Sequence, residues 1–210
     1  MPILLQDGDV HSGHGVWRID ETEAELLALL PPQVQEDCRA KLQTFSAAER
    51  RLEWLAVRAL LYALLRSPFH IAYLPSGKPY LKDDIRSLSI SHTRGFVAVA
   101  YDELHPVGID IERWSERVQR VYLRFMNEAE MEAWDDRQRL ARLLLCWSVK
   151  EAMYKCQDGP TADLRQFYIR PFDLQTRGCL SGCFLPAKSD FAIDYLLTDD
   201  FVLTQVKPAL

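Results

Sequence analysis

The hexapeptide Val107-Gly-Ile-Asp-Ile-Glu112 is the densest concentration of chemistry in this sequence. Side chains alternate across a strand, so Ile109 and Ile111 share one face while Asp110 and Glu112 share the other. Carboxylates at i and i+2 lie roughly 7 Å apart, because a strand rises ~3.3 Å per residue. Such a face can offer oxygen ligands to a hard cation such as Mg²⁺, with substrate phosphates completing the shell. The alternative is the solvated outer face of an edge strand.

A second carboxylate stands out downstream. Leu140, Leu144, Trp147, Glu151 and Tyr154 step at helical intervals along one stripe, so Glu151 falls in line with residues expected to face the core. A carboxylate there must be paired, metal-bound or placed in a cleft, since burying it bare is costly. Lys155 follows one turn later. The pair also reads as an ordinary i, i+4 surface ion pair worth a few tenths of a kcal/mol. Ser91-His92 ends a strand at a hairpin corner, where side chains can project into a cleft, a structural histidine being the plainer reading. Lys78, between Gly77 and Pro79, sits on a stiff turn, and Arg58 lies on a helix where a polar-face position is its plainest reading. G-x-x-x-x-G-K, G-x-S-x-G and H-E-x-x-H signatures are absent from the sequence.

The elements that carry these residues follow from caps and periodicity. Thr22 with Glu25, Ser46 with Glu49 and Asn127 with Glu130 each have capping-box spacing, and predict helices to about Leu30, from Ala47 to near Pro68, and from Asn127 onward. A further helix is expected over about 33–42 and a long one over about 137–156, stopped by Gly159-Pro160. Ile3–Leu5 and Val16–Ile19 read as short strands. Leu88–Ser91, Phe96–Tyr101 and Val107–Glu112 read as an antiparallel meander, the first two joined through His92-Thr-Arg-Gly95. The tail from about Phe167 to Val206 alternates like strands, with turns expected at Arg177-Gly178 and Thr198–Asp200. Five scattered cysteines without a CxxC predict free thiols in a reducing compartment.

Composition sets the class. The chain has 210 residues and a formal charge of −5, which with a 48% hydrophobic content describes a soluble, core-forming protein rather than a bulk nucleic-acid binder. No apolar run approaches the ~20 residues of a membrane helix, and the N-terminus lacks a basic signal-peptide start, so a cytoplasmic protein is expected.

Taken in order, Gly77-Lys-Pro79, Ile90-Ser-His92, Gly108-Ile-Asp-Ile-Glu112 and Trp147-Ser-Val-Lys-Glu-Ala-Met-Tyr-Lys155 resemble the 4′-phosphopantetheinyl transferases of the surfactin-synthetase-activating class. The resemblance covers about Ser46 to Lys155. It implies an α+β fold of two similar halves, residues 1–104 and 105–210, each a small antiparallel sheet packed with helices, with a cleft between them. It implies Mg²⁺-dependent transfer of phosphopantetheine from coenzyme A to a serine of an apo acyl or peptidyl carrier protein, releasing 3′,5′-ADP, by a monomer that needs neither nucleic acid nor membrane. By motif match Asp110, Glu112 and Glu130 would hold Mg²⁺, Glu130 doubling as a helix cap. Glu151 would be the general base and Lys155 would offset phosphate charge, alongside Asp110 on the coenzyme. Arg58, Lys78, Pro79, Ser91 and His92 would grip the nucleotide. The N-terminal basic residues that larger members use for the 3′-phosphate are sparse here, which leaves Arg58 and His92 to carry that phosphate alone or Arg39 or Lys41 to substitute.

One pattern lies outside the resemblance. Arg113, Arg117, Arg120 and Arg124 step at helical intervals beside an apolar stripe of Val118, Val121, Tyr122 and Phe125. The arginines are expected to line a wet face suited to an acidic carrier protein. Neutralisation by Glu116 and Glu128 on an ordinary solvated face is the alternative.

Overall fold

Turn residues set the first hairpin. Asp9 accepts hydrogen bonds from the backbone of His11 and Ser12, reversing the chain between β1 (Ile3–Gly8) and β2 (Ser12–Arg18). This computed structural model describes residues 3–131, 138–157 and 163–207. Its contacts divide the chain into two units, Met1–Leu104 and His105–Leu210.

In the first unit the expected box forms at α1 (Glu23–Ala28), where Thr22 and Glu25 cap each other reciprocally. Pro31-Pro32 opens α2 (Pro32–Leu42), and α3 (Ala48–Leu65) ends where Arg66 turns left-handed just before Pro68. The box expected at Ser46 does not form. The N-cap is Ala47, without a side-chain bond, and Glu49 lies 3.6 Å from Arg94 instead of reaching back to the helix end. A small hairpin, β3 (Ile71–Tyr73) with β4 (Pro79–Leu81), flanks the Pro75–Pro79 turn. Gly77 takes φ +86 there, a conformation that a Cβ disfavours. β5 (Ser87–Thr93) and β6 (Phe96–Asp102) pair as the expected hairpin, and the antiparallel sheet runs β1-β2-β6-β5. Trp17, Leu55, Leu60, Leu61, Val97 and Val99 fill the core between sheet and helices.

The meander breaks at its third strand. β7 (Gly108–Arg113) leaves β6 after His105-Pro106 and pairs with the last strand of the second unit. There the helical stretch after Arg113 is shorter than its stripe suggested: α4 (Val118–Val121) passes into a 3₁₀ turn over Tyr122–Arg124. Val118 and Phe125 are buried, Val121 and Tyr122 only partly. α5 (Glu128–Met131) follows, then α6 (Arg139–Cys156), a 3₁₀ turn at Leu164–Gln166, and β8 (Phe167–Ile169). β9 (Arg177–Phe184), β10 (Ser189–Leu197) and β11 (Phe201–Lys207) complete an antiparallel sheet in the order β7-β11-β10-β9-β8. Arg177-Gly178 begins β9 rather than forming a turn; the reversal to β10 occurs at residues 185–188. Thr198 does make the turn into β11, accepting from the backbone of Phe201. The expected stop at Gly159-Pro160 lies outside the described residues.

α6 packs across this sheet with Leu143, Leu145, Val149 and Met153 buried, each side chain worth ~1.5–3 kcal/mol of apolar burial. Its approach to β7 is extreme. A Cβ on Gly108 would sit 1.9 Å from the Ala152 carbonyl oxygen, so only glycine lets the strand lie this close to the helix. All five cysteines are free. Among the described residues no helix is long and apolar enough to cross a membrane.

Candidate active site

Because Gly108 seats β7 against α6, side chains from the two elements meet. Lys155 Nζ donates to Asp110 Oδ1 at 2.7 Å and to the Ile109 carbonyl at 3.3 Å. Trp147 Nε1 donates to Glu112 Oε1 at 2.7 Å, while Phe125 braces the indole edge-on at 5.2 Å. Asp110 is buried, which removes the solvated-edge reading of this strand, and Glu112 and Glu151 are half-buried.

Crowded carboxylates disturb one another. Burial, then the charges of Asp110 and Glu151, push the Glu112 carboxyl up to about 7, against the opposing pull of Trp147 and Lys155. Burial and Asp110 likewise raise Glu151 above the usual carboxylate range. Asp110, Glu112 and Glu151 therefore share one neighbourhood with Lys155 as the nearby cation. Among the described residues no three His, Cys, Asp or Glu side chains form a closed metal cage. Hard oxygen donors under mutual repulsion, short of a full shell, nevertheless fit Mg²⁺, which keeps waters and borrows ligands from substrate phosphates.

Glu130 has strong partners of its own. Its Oε2 accepts from Asn127 N at 3.0 Å and from Lys150 Nζ at 2.7 Å, and its Oε1 accepts from Ile169 N at 2.8 Å. Asn127 Oδ1 completes the reciprocal cap on Glu130 N. Glu130, expected as helix cap and metal ligand, is thus a cap and also the hub that ties α5, α6 and β8 together. The reason is Lys150, fully buried and bonded also to the Phe125 carbonyl, which needs this carboxylate to stay charged. Burial lowers the Lys150 ammonium pKa, and Glu130 opposes that shift. Sequence periodicity missed Lys150: the stripe through Leu140, Trp147 and Glu151 runs along the margin, while the deeply buried face carries Lys150.

The first unit holds a cationic group of its own. Arg58 is buried on α3, its guanidinium 3.2 Å from the Trp54 ring centroid and bonded to the Trp54 carbonyl and to Tyr73. Burial pulls its pKa down to about 10. It is no ordinary polar-face residue. His92, exposed on β5, has Nδ1 3.2 Å from Glu53 and Nε2 2.6 Å from Arg50 Nη1. Arg50 also bears electrostatically on Arg58. Ser91 is buried beside His92, whereas Lys78 and Pro79 are half-buried on the hairpin turn. Arg39 and Lys41 turn to Gln35 and the Phe45 ring. Arg50, passed over in the sequence, is the basic residue that reaches His92; its place in the first turn of α3, facing the β5–β6 corner, was the available signal.

Arg113, Arg117, Arg120 and Arg124 are all exposed, as their spacing suggested.

Comparison with known proteins bears on the second unit first. The family model of the 4′-phosphopantetheinyl transferase superfamily matches residues 106–205. The 4′-phosphopantetheinyl transferase Sfp of Bacillus subtilis is 27% identical over 158 residues, 71% of this chain and 70% of that relative. The transferase AcpT of Salmonella typhimurium is 32% identical over 117 residues, 52% of this chain and 60% of its own length. The transferase gsp of Aneurinibacillus migulanus is 32% identical over 104 residues, 48% of this chain and 43% of its own. The chain thus spans only about half the length of these last two relatives.

Proposed function

We propose that this chain, similar over residues 106–205 to the 4′-phosphopantetheinyl transferase superfamily, moves phosphopantetheine from coenzyme A to a serine of an apo acyl or peptidyl carrier protein. The observation that carries the reading is the meeting of Asp110, Glu112, Glu151 and Lys155 on β7 and α6, inside the matched segment.

Asp110 and Glu112 would hold Mg²⁺, which when bound neutralises charge on the pyrophosphate. Lys155 pairs with Asp110 and offers a further positive charge to the phosphates. Trp147 fixes the Glu112 carboxylate through its indole N–H. Glu151 takes the proton of the carrier serine, and the burial and Asp110 charge that raise its pKa make it a stronger proton acceptor than an exposed carboxylate. The serine oxygen bonds to the phosphorus bearing pantetheine, the bond from that phosphorus to the bridging oxygen breaks, and 3′,5′-ADP leaves. Arg58, Lys78, Pro79, Ser91 and His92 hold the nucleotide, with Arg50 added to the set. Arg58 acts partly by keeping Trp54 and Tyr73 in place.

The test is incubation of the chain with Mg²⁺, coenzyme A and a panel of apo carriers, followed by intact mass and nucleotide analysis. A carrier gaining phosphopantetheine, with carrier-dependent release of 3′,5′-ADP, is the expected result. Nucleotide release without any carrier would instead mean a phosphohydrolase and overturn the reading.

A further inference from the structure

Two hydroxyl side chains are sealed where α6 crosses β11. Ser148 and Thr204 are both fully buried, although serine and threonine mostly sit at surfaces. Val202 and Val206 flank Thr204 on its strand face, and Leu144 and Ala152 flank Ser148 along the helix, all four in the apolar core. Thr204 Oγ1 donates to the Ser148 carbonyl at 3.0 Å. A hydroxyl has one proton, so the 2.9 Å contact between the two hydroxyl oxygens is Ser148 Oγ donating to Thr204.

The pair closes a ring of hydrogen bonds between positions 56 residues apart. Packing alone does not ask for it. A helical serine can bond the carbonyl four residues back, here that of Leu144, and need nothing from the sheet. Apolar groups of the same shape would fill the space with no polar atom to satisfy. What the hydroxyls add is direction, since a hydrogen bond fixes an angle and a distance.

The place of the pair makes that direction matter. Thr204 lies opposite Asp110 in the β7–β11 ladder. Ser148 stands three and seven residues before Glu151 and Lys155, on one helix face. Gly108 lets α6 come close at Ala152, but a missing Cβ exerts no pull. The bonds from Trp147 to Glu112 and from Lys155 to Asp110 lie at the margin of the core, with both donors partly exposed. The Ser148–Thr204 ring is the sealed polar contact between α6 and the sheet that lies between them.

We propose that Ser148 and Thr204 form a positioning latch, which sets the rotation and height of α6 so that Glu151 and Lys155 stand at Asp110 and Trp147 reaches Glu112. Neither residue touches substrate; both act through Trp147, Glu151 and Lys155. The effect on turnover rests on the transferase reading, whereas the effect on geometry rests on the fold alone.

The experiment compares wild type, Thr204→Val and Thr204→Ser. It measures melting temperature, the Trp147 indole N–H signal by NMR (identified by its absence in Trp147→Phe), and kcat and KM with Mg²⁺, coenzyme A and an apo acyl carrier protein that the wild type modifies. Thr204→Val keeps the shape and removes both bonds, while Ser148 turns back to Leu144. It is expected to melt within about 2 °C of wild type. Its Trp147 signal shifts and its kcat falls about tenfold with the coenzyme A KM little changed, on the scale of a small misplacement of reacting groups. Thr204→Ser keeps the hydroxyl and loses a buried methyl, so it melts about 2–4 °C lower yet retains the wild-type signal and kcat. Turnover thus follows the hydroxyl while stability follows the methyl. Wild-type kcat and an unmoved indole signal in Thr204→Val overturn the latch and leave the transferase reading standing. Turnover that falls as far in Thr204→Ser as in Thr204→Val makes Thr204 a packing residue and also overturns it. No transfer by wild type to any carrier overturns the transferase reading, and the indole signal then decides the latch by itself.

Discussion

Lys155 and Asp110, 45 residues apart in sequence, are joined by a 2.7 Å ion pair in which Asp110 is almost wholly buried and Lys155 remains a quarter exposed. The pair makes Asp110 a structural residue as well as a proposed metal ligand. Its lysine meets solvent, where a phosphate could reach it.

Asp110→Ala should therefore fail in two ways. Turnover at saturating Mg²⁺ falls about 10²-fold or more, on the scale of losing one preorganised electrostatic contact. Stability also falls, by about 1–3 kcal/mol, because the ion pair between Asp110 and Lys155 is lost. Turnover in metal titrations and urea denaturation measure the two losses. Near-normal turnover would remove Asp110 from the metal set.

Glu151→Gln keeps shape and removes the proton acceptor. Turnover should drop about 10²- to 10⁴-fold, the usual range for a general base. Since burial and Asp110 disfavour the Glu151 charge, the neutral amide should leave the melting temperature unchanged or slightly higher. A lower melting temperature with turnover preserved would make Glu151 structural.

Lys150→Met leaves Glu130 charged and buried, and should cost about 3–5 kcal/mol. Adding Glu130→Gln removes the stranded charge and keeps one acceptor oxygen, for either Asn127 N or Ile169 N, so the double variant should be more stable than Lys150→Met alone. Chemical denaturation of the four proteins in the cycle reads the coupling, and additive losses would contradict it.

Arg50→Ala tests the group around His92. With the pyrophosphate assigned to the second unit, the remaining anion of coenzyme A is its 3′-phosphate. The KM for coenzyme A should rise about tenfold, as for loss of a charge-assisted hydrogen bond, and the KM for 3′-dephospho-coenzyme A should change little. Equal effects on both would place Arg50 outside that contact.

Acid sensitivity should appear at Asp84. The Arg86 guanidinium forks onto its carboxylate, reaches the Val10 carbonyl, and holds the Asp84 pKa below its ordinary value. A depressed folded pKa stabilises above the unfolded pKa near 3.8, and that contribution fades as pH falls through the folded value. Asp84→Asn should lower stability by about 0.5–1 kcal/mol near pH 6 and by less near pH 3. Urea midpoints at the two pH values measure the difference.

Short-range patterns in this chain were legible because few residues decide them. The period of two put Asp110 and Glu112 on one strand face, and three-residue spacing identified the caps at Thr22 and Asn127. The turn at Thr198 and the β5–β6 hairpin follow from the same kind of local rule. Spacing alone could not say which competing partner wins. Ser46 has the grammar of a cap and does not act as one, since Glu49 lies beside Arg94. Glu130 matches a ligand position, yet a buried Lys150 from another helix claims its oxygens. β7 reads as the third strand of a meander, but its pairing with β11 and the missing Cβ at Gly108 put it against α6. Local sequence fixes which conformations and faces are available, because those energies act within a few residues. Burial and charge pairing act between segments tens of residues apart, so tertiary packing decided which carboxylates crowd together, which lysine is sealed in the core, and which arginine reaches His92.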